Sequence, residues 1–344
     1  WGTSRAVASS ADRSSCTREP GSPGSLPYTR QMGSTAEPVK SGPWMRCAFC
    51  PEFLGPEPTR HAPAPEAVDF KPARTGSKEG TMPQTPKLMY NYRGVYHRDL
   101  THEVAYYAGK YTGEYYRMRS GVTTPLCLVA NDHRFSSNSI KHYVCQGLIE
   151  AGCQVVDNGC LPTSVASYCI RKRADGGVVV TASHNPPEHN GLKFFDSTGG
   201  VLKPHVEEAL IAKVLAQVAK DDTIPHRLIT RGYALQGPEE VMELYISDVE
   251  RTITLQHSLR VAVDCRFGTA YTIMPQLLER LGCEAALLHG QLHPYFIKSN
   301  GDYLNPEPKE SNIGEIRRFI GSGTYDVGLI FDGDSDRNVI VDDK

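Results

Sequence analysis

The 344-residue chain is short of several features that would assign it to a specialised class. It has no stretch near the ~18 consecutive apolar residues of a membrane helix, so a helical spanning protein is excluded. It has no excess of either charge: 37 Lys+Arg against 39 Asp+Glu leaves −2. That balance argues against nucleic acid as a partner, although a small anionic ligand needs only a local cluster. Nor do the ten cysteines form a disulfide framework. Several sit in apolar runs, such as Leu126-Cys127-Leu128-Val129 and Val263-Asp264-Cys265, where a free thiol behaves as a small buried hydrophobe. No apolar signal segment opens the chain, so a reducing cytoplasm is the expected compartment. Cys47-x-x-Cys50 lacks the second pair a zinc site needs; His61 is the one histidine near it, and the next cysteine is Cys127.

The first 80 residues contain no isoleucine and only 10 Val, Leu, Met and Phe, against 8 Gly, 11 Pro, 10 Ser and 6 Thr. Such a segment buries too little apolar surface to offset the entropy of ordering, so residues 1–84 are expected to be a disordered extension. Arg and Ser would suit a transit peptide, but Asp12, Glu19, Glu37, Glu52 and Glu57 do not. Upstream sequence read through in translation is the alternative. A chain that opens on Trp1 and stops at Lys344, just after an acidic loop, is expected to be a fragment.

From Leu100 onwards, helical and strand-like patterns alternate. Helices are expected over 100–120, 136–152 (with Ser136 or Ser137 as N-cap), 163–172 and 204–219. Apolar runs of strand length cover 126–131, 154–157, 177–181 and 192–196. Residues 221–237 are polar and irregular. A second alternation follows, with helices over 238–256 and 311–320 and another running from the Gly268 turn to Gly282, and strands over 259–264, 283–288 and 326–331. The last visible strand starts at Asn338. This rhythm predicts open α/β sheets with helices on their faces, in two domains over 85–232 and 233–344.

Ligands of open α/β sheets bind beyond the carboxyl ends of strands. Two loops in such positions are chemically loaded. In Thr181-Ala182-Ser183-His184-Asn185-Pro186-Pro187-Glu188-His189-Asn190-Gly191-Leu192-Lys193, a hydroxyl leaves a three-valine strand and a cation closes the segment. A hydroxyl held there can exchange a phosphoryl group if cations surround it; the plain alternative is a surface turn with a capping serine. In Asp332-Gly333-Asp334-Ser335-Asp336-Arg337, carboxylates at i, i+2 and i+4 on extended backbone face one way and repel unless a cation or protons intervene. Hard divalent ions take such oxygens, and Arg337 can pair with a phosphate beside them. A calcium EF-hand needs glycine where Arg337 stands and a helix where Asp326–Phe331 is strand-like.

Together the two loops resemble those of the α-D-phosphohexomutase superfamily, which includes phosphoglucomutase and phosphomannomutase. Thr181–Pro186 matches the family's Thr-Ala-Ser-His-Asn-Pro phosphoserine loop, and Asp332–Arg337 matches its Asp-Gly-Asp-x-Asp-Arg metal loop. Weaker echoes are Arg93-Gly94, Asn131–Ser137 (an Asp-x-Arg-x-Ser segment), Gly159–Ser164 and Asn305-Pro306-Glu307-Pro308. Asn91-Tyr92 and Ser164 depart from the family's usual residues.

The resemblance, over roughly 88–344, implies two consecutive three-layer α/β/α mixed-sheet domains, the first two of a four-domain enzyme. It implies a catalytic Ser183 carried as phosphoserine. Mg²⁺ would be held by Asp332, Asp334 and Asp336 with an oxygen of the Ser183 phosphate. Lys193 would be the general acid/base, its pKa lowered by neighbouring cations. Arg93 and Arg337 would bind phosphate, and His184 would either move protons or hydrogen-bond the loop. Substrates would be glucose or mannose 1- or 6-phosphate, interconverted through a hexose 1,6-bisphosphate. Phosphoglucosamine mutase is the alternative, and a non-catalytic Mg²⁺- and phosphate-binding protein is the alternative of another class. The loop's opening Thr181 favours the mannose/glucose group. Neither the family's Gly-Glu-Tyr-Ser-Gly sugar loop nor its Arg-Ser-Gly-Thr phosphate loop occurs here, so the 344 residues alone are expected to turn over little or no substrate.

Overall fold

A computed structural model describes residues 92–221, 223–224 and 233–342. The expected 1–84 extension and the Cys47/Cys50 pair lie outside these residues. The described residues all fall within one compact unit, Phe70–Lys344.

The first domain is built on a six-stranded sheet in the order β1-β5-β4-β2-β3-β6. Its strands are β1 (Tyr92–Val95), β2 (Leu126–Asn131), β3 (Gln154–Cys160), β4 (Gly176–Val180), β5 (His189–Asp196) and β6 (Ala234–Leu235). The sheet is mixed: β4, β2, β3 and β6 are parallel, while β5 runs antiparallel to both β4 and β1. Helices α1 (His102–Ser120), α2 (Ser137–Glu150), α3 (Thr163–Arg173) and α4 (Pro204–Val218) cover its faces.

Burial follows the two-residue period of a strand. Cys127, Val129, Val178 and Val180 pack with α1, α2 and α4, while Leu128, Ala130 and Val179 pack with α3. Both faces are buried, which is why these strands read as unbroken apolar runs.

The second domain has a four-stranded sheet, β10-β9-β7-β8. These are β7 (Arg260–Asp264), β8 (Glu284–Leu288), β9 (Val327–Phe331) and β10 (Asn338–Val341), with β10 antiparallel to β9 and the others parallel. Helices α5 (Pro238–Thr252), α6 (Met274–Arg280) and α7 (Gly314–Gly321) complete it. Val261 and Val263 share a core with Val241 and Ile246 of α5 and with α3, so one apolar cluster runs through both domains. On the other face Ala262 and Ile330 pack against Ile316 and Ile320 of α7.

Several elements depart from the sequence expectation. Strand β1 has no sequence signal: Arg93-Gly94 breaks any apolar run, and the segment is an edge strand held by β5. Gly191, opposite Arg93, must be glycine, because a Cβ there would lie 2.6 Å from the Tyr92 carbonyl and 2.7 Å from that of Thr181. The pair β6 joins the first sheet by pairing with β3, so that sheet extends past residue 232. Helix α5 ends at Thr252, four residues short of its expected end. Ser136 occupies the N-cap of α2 but makes no side-chain capping bond; its hydroxyl accepts from Asn190 instead.

Candidate active site

Both loaded loops leave the carboxyl ends of parallel strands, and the shared core sets them face to face. Ser183 follows β4 and is buried, with φ at +55°, a left-handed backbone that a non-glycine residue holds only when its surroundings enforce it. The enforcement comes from side chains. The Ser183 N–H donates to Thr181 Oγ1 (2.8 Å), and Thr181 Oγ1 donates to Asp132 Oδ2 (2.7 Å). Arg134, itself buried, donates to the carbonyls of Ser183 (2.8 Å), Asn185 (2.7 Å), Pro186 (2.7 Å) and His189 (3.2 Å). Asp132 pairs with Arg134 Nε at 3.0 Å and accepts from Ser137 Oγ at 2.5 Å. Ser137 Oγ accepts from Asn190 in turn (2.9 Å). The serines at the start of α2 thus fix the phosphoserine-like loop rather than cap the helix.

The acidic loop follows β9. Gly333 lets it approach: a Cβ there would sit 2.6 Å from the Ser183 carbonyl. Ser183 Oγ donates to Asp332 Oδ2 (2.6 Å) and accepts from an Arg337 guanidinium N–H (2.8 Å). Arg337 also donates to Asp332 (2.9 Å) and contacts His184 Nδ1. His184 lies 3.4 Å from Ser183 Oγ through Nδ1 and 3.9 Å from Glu307 through Nε2. Lys193, buried on β5, reaches Asp334 (2.6 Å) and Asp336 (2.5 Å). Arg93 on β1 donates to Asn185 Oδ1 (3.1 Å). All eight residues nominated from the sequence therefore meet at one place, drawn from both domains.

Charge is tightly coupled there. Burial, then the neighbouring Asp334 and Asp336, push Asp332 up to about 8. Burial also raises Asp336. Asp334 goes the other way: burial works to raise it, but the Lys193 ammonium and the hydrogen bonds from Lys193 and Thr163 hold it below the usual carboxylate range. Lys193 differs from expectation. Burial acts to lower its pKa, but the two carboxylates it touches outweigh burial and the net shift is upward. Cations do not dominate its surroundings, because β5 points it at the metal-type loop.

The donor set fits a hard divalent cation. One carboxylate oxygen from each of Asp332, Asp334 and Asp336 lies within 4.8 Å of the others. Asp334 Oδ1 is buried without a hydrogen-bond partner, an arrangement that is costly unless something occupies it.

Sequence reasoning missed the supports. Thr163, at the start of α3, donates through Oγ1 to Asp334 Oδ2 (2.7 Å) and through its N–H to the Asp334 carbonyl (2.9 Å). Arg134 lay in a noted segment, and its signal was an Asp-x-Arg just past a strand. Glu307 lay in another noted segment, but only the fold brings it to His184.

Comparison with known proteins shows the family. The family described as phosphoglucomutase/phosphomannomutase matches with its alpha/beta/alpha domain I over residues 89–221 and domain II over 243–344. The chain belongs to the α-D-phosphohexomutase superfamily. Curated relatives include phosphoglucosamine mutases of Acetivibrio thermocellus (32% identical) and Alkaliphilus oremlandii (33% identical), each matched over 254 residues, 73% of this chain and 54% of the relative. The chain thus spans about half the length of the curated relatives it matches. A crystal structure of a phosphoglucomutase/phosphomannomutase family protein from Burkholderia thailandensis superposes with a TM-score of 0.62 at 26% identity, covering 74% of this chain and 54% of that one. Both of the curated relatives are named for a phosphosugar mutase reaction.

Proposed function

We propose that this chain carries the phosphoryl-accepting and cation-binding part of a phosphohexomutase, with Ser183 as the phosphoacceptor. The observation that carries the reading is the position of Ser183 Oγ, hydrogen-bonded at once to the Asp332 carboxylate and the Arg337 guanidinium. A nucleophilic hydroxyl needs somewhere for its proton to go and a cation against the charge that develops as phosphorus approaches. Ser183 has both within 2.8 Å.

Asp332, Asp334 and Asp336 are the residues that would hold Mg²⁺, with an oxygen of the Ser183 phosphate as a further ligand. When bound, the ion supplies positive charge against the transferring phosphoryl oxygens. In the forward step an O–P bond of a hexose 1,6-bisphosphate breaks and the Ser183 Oγ–P bond forms; Ser183 gives its proton to Asp332, and the departing sugar oxygen takes a proton to become a hydroxyl. Lys193 is the residue we assign to that proton, while Arg337 and Arg93 hold phosphate oxygens and His184 orients the loop.

The substrate is a hexose phosphate. We favour glucosamine phosphate over mannose or glucose phosphate, because curated relatives at 32% and 33% identity are phosphoglucosamine mutases. The Thr181 cue for the mannose/glucose group is a single residue and weighs less.

The test is transfer from radiolabelled glucosamine 1,6-bisphosphate or glucose 1,6-bisphosphate, followed by mass spectrometry of the labelled peptide. The expected result is one phosphate on Ser183, faster from the glucosamine compound, and none in Ser183→Ala. Undiminished labelling of Ser183→Ala would move the phosphoacceptor elsewhere. Steady turnover of glucosamine 1-phosphate by the 344 residues alone would show that the sugar and distal-phosphate loops of the family are dispensable.

A further inference from the structure

Away from the two loops, the outer face of α3 carries three consecutive cations, Arg171, Lys172 and Arg173. Two are neutralised by α5: Lys172 lies 3.2 Å from Asp248, and Arg173 3.0 Å from Glu240. Arg171 pairs with no carboxylate among the described residues. Its guanidinium lies 5.5 Å from the centre of the Tyr168 ring, and the Lys172 ammonium lies 5.4 Å from the same ring. The Tyr168 hydroxyl is buried with no hydrogen-bond partner.

These groups border a cavity of about 430 Å³, lined among others by Ser164, Tyr168, Arg171, Thr198, Gly199 and Tyr245. That volume is in the range of small-molecule sites. Its far wall is the turn after β5, pinned to α3 by a hydrogen bond from Ser167 Oγ to the Gly199 carbonyl (2.6 Å). Gly199 adopts φ +75°, and a Cβ there would lie 2.5 Å from the Ser167 carbonyl, so turn and helix pack as one wall. Tyr245 of α5 meets Tyr168 edge-on at 5.3 Å. The cavity therefore combines a guanidinium without a carboxylate partner, the Ser164 hydroxyl and two aromatic rings.

We infer that this cavity is a second binding site, distinct from the Ser183 cleft, for a small phosphorylated metabolite. Arg171 takes the phosphate, since a guanidinium binds two of its oxygens at once. The rings of Tyr168 and Tyr245 lie against the carbon skeleton.

Calorimetric titration of the full chain with glucose 6-phosphate, and separately with inorganic phosphate, tests this. Glucose 6-phosphate is expected to fill two sites in the wild type. Arg171→Gln should weaken one of them by about tenfold or more, the change that ~1.4 kcal/mol produces. Tyr168→Phe, which keeps the ring and removes only a hydroxyl closed off from the cavity, should leave that site unchanged. Arg337→Gln should leave that site intact while weakening the other. Inorganic phosphate binding that depends on Arg171 would assign the site to the anion; glucose 6-phosphate binding alone would assign it to the whole sugar phosphate. An isotherm for Arg171→Gln that superimposes on the wild type with both ligands would overturn the proposal.

Discussion

The two domains use the same buried device, and they use it unequally. In each, a parallel strand ends on an Asp-x-Arg: Asp132 and Arg134 after β2, Asp264 and Arg266 at the end of β7. In each, the arginine's own N–H donates to the aspartate two residues back, at 3.1 and 3.0 Å. In each, the guanidinium is fully buried and holds a distant loop by its carbonyls: 183–189 for Arg134, and 305–312 for Arg266, through Asn305 (2.6 Å) and Asn312 (2.6 Å).

The difference lies in closure. Asp132 accepts from Arg134, Thr181 and Ser137, so the first network is satisfied throughout. Asp264 pairs with His289 at 2.8 Å and stands 3.5 Å from Arg266, whose Nε has no partner. Burial accordingly lowers the Arg266 pKa. The closed clamp holds the loop with the proposed phosphoacceptor, where small displacements matter most for chemistry. The looser one holds the loop that brings Glu307 towards His184.

If closure is what separates them, substitutions should fall in a set order. Arg134→Met strands Asp132 and four loop carbonyls, and should cost about 3–5 kcal/mol in urea unfolding and abolish labelling of Ser183. Arg266→Met removes a guanidinium already short of one partner, and should cost less, about 2 kcal/mol. Equal losses would mean that closure is not the distinction.

The acidic loop between the clamps sharpens the contrast next. Mg²⁺ should raise the midpoint of thermal unfolding of the wild type by several degrees and leave Asp334→Asn unmoved, since the unpartnered buried oxygen is then gone.

Acid should strain the first clamp more than the second. Burial pushes His133, beside Arg134, down to about 4 from the usual 6.5. The unfolded chain therefore takes up a proton there that the folded chain refuses. The contribution is complete above about pH 6.5 and is lost as pH falls towards 4. His133→Gln should flatten that part of the stability–pH curve, and an unchanged curve would assign the acid loss elsewhere.

The smallest effect belongs to Glu307→Gln. At 3.9 Å from His184, with both side chains about a quarter exposed, the pair should contribute under about 1 kcal/mol to stability. Any change should show in the rate of Ser183 labelling.

The local chemistry was legible because it is contiguous. Six residues carry Thr181–Pro186 and six carry Asp332–Arg337, and each loop follows an apolar run of strand length. Strand β1 was not legible, because an edge strand with Arg93-Gly94 at its centre owes its conformation to β5 rather than to its own pattern. The serines at the start of α2 were legible in position but not in their bonding, for a related reason. A hydroxyl before a helix has a local use as a cap, and only the fold offered Ser136 and Ser137 a better partner in Asn190, more than fifty residues away.

By itself, then, the sequence determined the two mixed α/β layers, the candidate hydroxyl and the three candidate carboxylates, and the family they belong to, since each follows from neighbouring residues. Tertiary structure alone decided that Lys193 faces carboxylates rather than cations, that Thr163 and Arg134 hold the two loops, and that Ser183 lies between Asp332 and Arg337. Those are contacts across 141 residues or more for Lys193 with Asp334 and Ser183 with Asp332. Pairing at such separations is set by how two sheets share one apolar core, and no local pattern in the chain encodes it.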